Sequence, residues 1–358
     1  MRIDRLVTRG FRNLADLDVP LPPSGVALLG LNGQGKTNFL EAVYYPVLFR
    51  SLRGALDAEV TRFGAPGFQL AAEVEGPGGR QRLTATYQMA GRRKRLERDG
   101  EELTRLADAI GGWVAVAFLP GDVALAGGPA TERRQYLDRM LSLADRGYLA
   151  ALAAYRAALA QRNSALRQGQ FDVARAFDGT LAAAGARVVA GRLAWSTGAA
   201  TRFAEELAGL EERGTARLTY RCRSELADPA GWPAALAAAR AQDEARRTST
   251  VGPHRDDLDL DVGGRPLRAF GSTGQQRSAA VALKLIELAT LAEGRGVEPA
   301  LLLDDVFAEL DRHRQRRLAE RLLGTVGRQV FLTAPRHDEL PPELGLPVWS
   351  VEDGRLGD

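Results

Sequence analysis

Residues 30–37 read Gly30-Leu31-Asn32-Gly33-Gln34-Gly35-Lys36-Thr37, the pattern G-x-x-x-x-G-K-[ST]. A short apolar run, Val26 to Leu29, stands before it as a strand, and Asn38 to Val43 can follow as helix. Strand, glycine loop and helix in this order are what a phosphate-binding loop requires. Glycines let successive backbone N–H groups turn inward around phosphate oxygens, and the helix start adds its positive end. In that geometry Gly30, Asn32, Gly33, Gln34 and Gly35 line the phosphates. Lys36 reaches the β and γ phosphates, and the Thr37 hydroxyl takes a magnesium position. By itself the loop says phosphate binding and little more.

Two downstream stretches extend the reading. Ala300-Leu-Leu-Leu-Asp304-Asp305 is an apolar strand ending in two carboxylates, and open α/β sheets bind ligands at the carboxyl ends of their strands. Asp304 is the candidate magnesium ligand, and Asp305 the group that polarises attacking water, with Lys36 as the second catalytic candidate. Adjacent carboxylates repel, so a bound cation makes sense of the pair; the competing role for Asp305 is to cap the next helix. Further upstream, Gly271-Ser272-Thr273-Gly274-Gln275-Gln276-Arg277 precedes another helix. A hydroxyl, a glycine and free N–H groups at a helix start make a second anion site. One ATP has no use for two γ-phosphate sites unless one serves a partner's nucleotide. The competing reading of Ser272 is an ordinary N-cap.

Ser272, Gly274 and Gln275 resemble the Leu-Ser-Gly-Gly-Gln signature of ABC-type ATPases, from which Gly271 and Thr273 depart. The resemblance implies two heads sandwiching two ATPs, each P-loop facing the other subunit's signature. Glu309-Leu310-Asp311 is similar to the D-loop at that interface. The match narrows to the RecF family and covers essentially the whole chain. Gly10-Phe11-Arg12-Asn13-Leu14 resembles the first strand of RecF and SMC heads, which implies Arg12 and Asn13 beside the nucleotide. Asn32 to Asn38 with Leu40-Glu41-Ala42 resembles the family P-loop and its helix. Arg50-Ser51-Leu52-Arg53 falls where the family carries a basic run. Pro120-Gly-Asp122, Gly128-Pro129 with Arg133-Arg134 and Leu137-Asp138, and Gly252-Pro-His254-Arg255-Asp256-Asp257 complete the series.

That resemblance implies ATP and Mg2+ as cofactors and an ATP-dependent homodimer. It also implies binding to double-stranded DNA and single-strand/double-strand junctions, with RecO and RecR helping to load RecA. Asp305 stands where most ABC ATPases place Glu, as in RecF proteins. Val330-Phe-Leu-Thr333-Ala334 carries no switch histidine, and His337 comes three residues too late. Both departures point to slow hydrolysis, a clamp rather than a motor.

Working outward, the expected fold is α/β: an ABC/SMC-type ATPase head, a mixed sheet with a P-loop core and an antiparallel flap, plus a mainly α-helical arm inserted in it. Ile3 to Val7 opens the head. Residues 68–99 alternate apolar and polar, with Leu83, Ala85, Tyr87 and Met89 on one face and turns at 76–79 and 99–100. Trp113 to Leu119 reads as a buried strand. From Thr131, a plausible helix cap, to about Leu210 the chain is alanine-rich with helical spacing, and further helices are expected from Pro233 to Arg247 and Gln275 to Leu291. The expected segments are 1–122 and 250–358 for the head and 123–249 for the arm.

Composition narrows the class. The 358 residues are 45% hydrophobic and 26% charged, the balance of a folded globular chain. No run approaches the roughly 18 apolar residues of a membrane span. The start has no secretory pattern, and Cys222 is the only cysteine, so a reducing cytoplasmic setting is expected. A net charge of +3 does not establish a polyanionic partner. The densest basic cluster, Arg92-Arg93-Lys94-Arg95, sits on a turn of the flap. With Arg50 and Arg53 it is the candidate DNA contact through phosphates; the alternative is a solvated hairpin tip. Arg133 and Arg134 are either DNA contacts or helix surface, and His254 and Arg255 either touch nucleotide or, the favoured role, brace the arm. Trp195 and Trp232 read as arm core. A small-molecule kinase would need neither the signature nor the helical insert, and a transporter ATPase would show a switch histidine.

Overall fold

The computed structural model describes residues 1–307, 312–323, 327–340 and 345–357. Contacts divide the chain into two units, Met1–Gly121 with Glu287–Asp358, and Asp122–Ile286.

The first unit holds two six-stranded sheets. The P-loop sheet runs, in spatial order, Arg355–Gly357, Val348–Glu352, Gly25–Leu29, Val330–Ala334, Ala300–Asp304 and Ala115–Phe118. All neighbours are parallel except the final hairpin. Val330–Ala334, Ala300–Asp304 and Ala115–Phe118 are buried at every position, which is why they read as unbroken apolar runs rather than alternating ones. Register places Asp304 beside Thr333 and Ala334 beside Leu29. The carboxylate strand, the Thr333 strand and the strand feeding the P-loop therefore end at one level.

The second sheet is antiparallel, in the order Leu17–Pro20, Arg2–Arg9, Gly67–Gly76, Gly79–Gln88, Arg93–Arg98 and Glu101–Glu102. Leu83, Ala85 and Tyr87 share its buried face. Met89 does not join them: Gly79–Gln88 ends before it, and it is exposed. The opening strand belongs to this sheet rather than to the P-loop sheet. Gln329 ties the two together, accepting from Ile3 N at 2.8 Å and donating to Ile3 O and Pro22 O at 2.9 Å each.

In the second unit the helices Ala130–Ala144, Arg146–Arg167, Phe171–Ala176, Asp178–Gly209 and Trp232–Arg246 accompany a small antiparallel sheet. That sheet joins Ala216–Arg221, Asp257–Val262 and Arg265–Pro266. Because Asp257–Val262 pairs with Ala216–Arg221, residues 250–286 gather with the arm, and the contact boundary lies at 286/287 where 249/250 was expected. Thr131 is not the cap expected of it. Pro129 takes that position and Thr131 lies in the first turn, as a proline with fixed φ can open a helix without losing a bonded N–H. Trp232 is fully buried edge-on to Tyr155, and Trp195 packs against Tyr136. Helix Thr273–Arg295 begins in the second unit and ends in the first. Among the described residues no helix is long and apolar enough to cross a membrane.

Candidate nucleotide site

Gly25–Leu29 runs into the glycine loop, and helix Lys36–Leu48 leaves it. Gly33 and Gly35 have φ of 85° and 115°, values a side chain with Cβ rarely adopts. The buried Lys36 ammonium donates to Gly30 O at 2.6 Å and Leu31 O at 3.2 Å. It is thus tethered at the loop mouth to neutral carbonyls, with no carboxylate as partner among the described residues. Asn32 and Gly33 are exposed.

Thr37 Oγ1 donates to Asp304, 2.8 Å from Oδ1 and 3.0 Å from Oδ2. The loop and the carboxylate strand, far apart in sequence, thus meet. Asp304 is buried, and burial raises its carboxyl above the usual range; the Asp305 charge adds to this, against the Thr37 and Thr333 hydroxyls. Asp305 takes φ of 49°, the left-handed region Asp tolerates better than most residues. Its N–H donates to Thr333 Oγ1 at 3.0 Å. The Thr333 hydroxyl lies 2.9 Å from Asp304 Oδ1 and 3.2 Å from Asp305 Oδ1. It has one proton for two carboxylates. Sequence reading gave Thr333 no role; the available signal was a hydroxyl ending an apolar strand, where a histidine had been sought. His337 lies in an exposed single turn.

Around the loop, Asn13 Nδ2 donates to Gly33 O at 3.1 Å, and Asn38 Nδ2 to Asn13 Oδ1 at 2.6 Å. Glu41, fully buried one turn into the helix, was also missed. It accepts from Arg12 at 2.8 Å, from Arg53 at 2.6 Å and from Ser51. Burial acts to raise the Glu41 carboxyl, yet Arg12, Ser51 and Arg53 hold it below the ordinary value. Arg12 and Arg53 are therefore anchored beside the loop by a shared carboxylate, and Arg53 also donates to Asn38.

The basic cluster does not act as one face. Strand alternation turns Lys94 inward, where it donates to Phe49 O, pairs with Asp57 at 3.0 Å and lies 5.0 Å from the Tyr45 ring centroid. Arg95 pairs with Glu97 and Glu102. Arg50, Arg92 and Arg93 remain exposed. Arg133 is buried on Asp257 at 2.7 Å, and Arg134 donates to Asp256 O at 2.8 Å. His254, bonded to Tyr155 OH and Ser249 O, sits inside the second unit with Arg255 on the same carbonyl. Both thus brace the arm.

At the signature, Gln275 N donates to Ser272 Oγ at 3.2 Å, and Ser272 N to Gln275 Oε1 at 3.1 Å. This reciprocal capping box stands at an exposed helix start, with Gly274 in its first turn. The N-cap role of Ser272 is thus real within one chain, and the helix start remains exposed. Asp311 and the rest of the D-loop candidate, and the side chain of His313, lie outside the described residues.

A P-loop on a parallel sheet, a buried carboxylate strand bonded to it, an antiparallel flap and an inserted helical arm define an ATPase head of the ABC and SMC kind. No family model matches the chain. It is 37% identical over 368 residues to the DNA replication and repair protein RecF of Anaeromyxobacter sp. (strain Fw109-5), covering 99% of each chain. It is 39% identical over 363 residues to RecF of Synechococcus sp. (strain JA-3-3Ab), covering 97% and 95%. A solved structure of the recombination mediator protein RecF with ATP, in the RecFOR pathway, superposes with a TM-score of 0.90 at 27% identity, covering 99% and 96%. An SMC head bound to the winged-helix domain of ScpA gives 0.58 at 16% identity, a likeness of fold. The chain belongs to the RecF family.

Proposed function

We propose that this protein is an ATP-controlled DNA clamp of recombinational repair. It binds ATP and Mg2+, dimerises, holds double-stranded DNA near single-strand gaps and, with RecO and RecR, promotes RecA loading in the cytoplasm during replication repair and the SOS response. One observation carries the reading: the Thr37 hydroxyl lies 2.8 Å from the buried Asp304 carboxylate, beside a loop that holds Lys36 at its mouth. The relatives' names and the ATP in the solved RecF structure support the same ligand and the same process.

The donor set suits magnesium, since Thr37 and Asp304 are hard oxygen ligands and phosphates would complete the shell. Bound there, the ion neutralises phosphate charge. The chain's own groups do the rest. Backbone N–H groups of residues 33–37 cradle phosphate oxygens, and Lys36 adds charge at the γ position. Asn13 and Asn38 keep the loop in place, with Arg12 beside them. Asp305 accepts a hydrogen bond from attacking water, its carboxylate aimed by Thr333. Ser272, Gly274 and Gln275 meet the γ phosphate of the other protomer, with Asp311 at the same interface. Without a switch histidine, hydrolysis is slow and releases the clamp. Arg50, Arg92 and Arg93 are the exposed cations for DNA phosphates, while Arg53, Lys94 and Arg95, expected with them, are held on Glu41, Asp57, and Glu97 with Glu102.

Sedimentation of wild type, Lys36→Met and Ser272→Arg, with and without ATP and duplex DNA, tests this. Wild type should dimerise only with ATP, and both variants should stay monomeric or associate far more weakly. Normal ATP-driven dimerisation of Ser272→Arg would overturn the assignment in trans. DNA retention should fall steeply with added salt.

A further inference from the structure

The chain's last two strands reach back to the nucleotide loop. Val348–Glu352 lies parallel to Gly25–Leu29 and turns into Arg355–Gly357. The turn is Asp353-Gly354, with φ of 47° and 75°, the type I′ form that Asp-Gly favours. Asp353 N donates to Gln34 Oε1 at 2.7 Å, and Gly354 N donates to Gln34 O at 2.8 Å. Gly354 O accepts from Ala15 N at 2.8 Å. Trp349 packs edge-on to Phe39 in the helix that leaves the loop, centroids 6.4 Å apart.

The contacts are close enough to dictate residue type. A Cβ at Gly30 would stand 2.4 Å from Val351 O, and one at Gly35 would stand 3.1 Å from Asn13 Oδ1 and 3.3 Å from Gly354 Cα. At Gly354 it would meet Asn13 O at 2.0 Å, whereas at Gly33 it would meet nothing within 4 Å. Hairpin backbone thus closes on both ends of the loop and leaves its middle open. Gln34 is engaged by the hairpin through both its side chain and its carbonyl, so a residue expected to touch nucleotide is occupied elsewhere. A loop of this kind has to be held in its phosphate-accepting shape before ligand arrives, or binding must supply that ordering.

We propose that the Asp353-Gly354 turn is a positioning element of the nucleotide loop, with Gln34 and Gly354 as its positioning residues. Triphosphate affinity is then set in part by the C-terminal hairpin, which itself touches no phosphate. This inference rests on the ATP reading of residues 30–37.

The test is equilibrium binding of ATPγS to the full chain, with steady-state ATP turnover, for wild type, Gly354→Ala, Gln34→Ala and the exposed control Arg355→Ala. Gly354→Ala should weaken binding about tenfold with saturated turnover within about twofold of wild type, and Gln34→Ala should weaken binding about threefold. Arg355→Ala should match wild type. A merely damaged fold would lower binding stoichiometry and leave the affinity of the remaining protein intact. Folded variants that bind ATPγS within about twofold of wild type would overturn the inference alone. Wild type that binds no ATPγS would overturn the ATP reading and this inference with it. If Gly354→Ala does not fold, the Gln34→Ala affinity decides, since it removes only one side-chain acceptor.

Discussion

Two buried carboxylates, Asp138 in the arm and Asp304 in the head, have opposite surroundings. Asp138 accepts from Arg192 at 2.6 Å, from Tyr148 at 2.8 Å and from Arg156 at 2.8 Å. Arg192, also buried, uses its remaining donors on Tyr148, Tyr220 and Pro253 O. Among the described residues Asp304 accepts only hydroxyl protons, from Thr37 and Thr333, with Asp305 as its neighbour and Arg53 acting only through its more distant charge. One carboxylate is paired with arginines and the other, among the described residues, bonds to hydroxyls alone. A buried charge that burial itself penalises persists where function requires it. Glu41 sharpens the point: only a few residues from Thr37, it is compensated by two arginines. The head can set guanidinium groups directly on a carboxylate, and at Asp304 none of the described residues does so.

The contrast yields its largest test in a pair of substitutions. Arg192→Ala removes the buried cation from Asp138, leaving it only the exposed Arg156, and should cost about 3–5 kcal/mol, the range for breaking a buried pair from one side. Thermal melting and urea unfolding should both report it. Asp304→Asn should leave the melting temperature unchanged or higher, because it removes an uncompensated charge, while ATP turnover falls about a hundredfold. A strongly destabilised Asp304→Asn would mean that the two carboxylates are alike after all.

What could be read in the sequence follows from how far each relation reaches along the chain. Gly30 to Thr37 carries its geometry in local spacing, and the strand ending at Asp304 declares itself by an apolar run that stops at charge. The meeting of Thr37 with Asp304 follows once the glycine loop and Asp304 are both placed at the carboxyl ends of strands. Thr333 is different: its contact with Asp304 depends on the register of parallel neighbours, which no local pattern records. The same holds for Asp257–Val262, whose alternation announces a strand but not the partner Ala216–Arg221 that draws it to the arm. Lys94 was misjudged because a run of four cations suggests a patch, while strand alternation sends one of them inward. Thr131 lost its cap role to the proline two residues earlier.

A smaller effect is expected at the hydroxyl between the carboxylates. Thr333→Val keeps shape and removes the proton that Asp304 and Asp305 share. Turnover should fall about tenfold with ATP affinity within about twofold, and Thr333→Ser should restore turnover. Equal losses in Thr333→Val and Thr333→Ser would show that packing of the methyl, not the hydroxyl, is what matters there.

The smallest effect lies in the arm, where saturation has a pH signature. Burial lowers the His254 pKa to about 4, with Arg255 and Arg134 acting in the same direction. In the unfolded chain it titrates at about 6.5, so below that pH the unfolded state binds the extra proton first. Stability from neutral His254 is therefore present above pH 6.5 and lost progressively as pH falls toward 4. At pH 5 the loss should be on the order of 1–2 kcal/mol. Asp256 works the other way, its carboxyl pushed up by burial, so the measurement is the difference between wild type and His254→Gln. Melting curves from pH 7 to pH 5 should fall more steeply for wild type than for the variant. Parallel curves would mean that His254 accepts its proton within the fold, and that the arm's network is less closed than its hydrogen bonds imply.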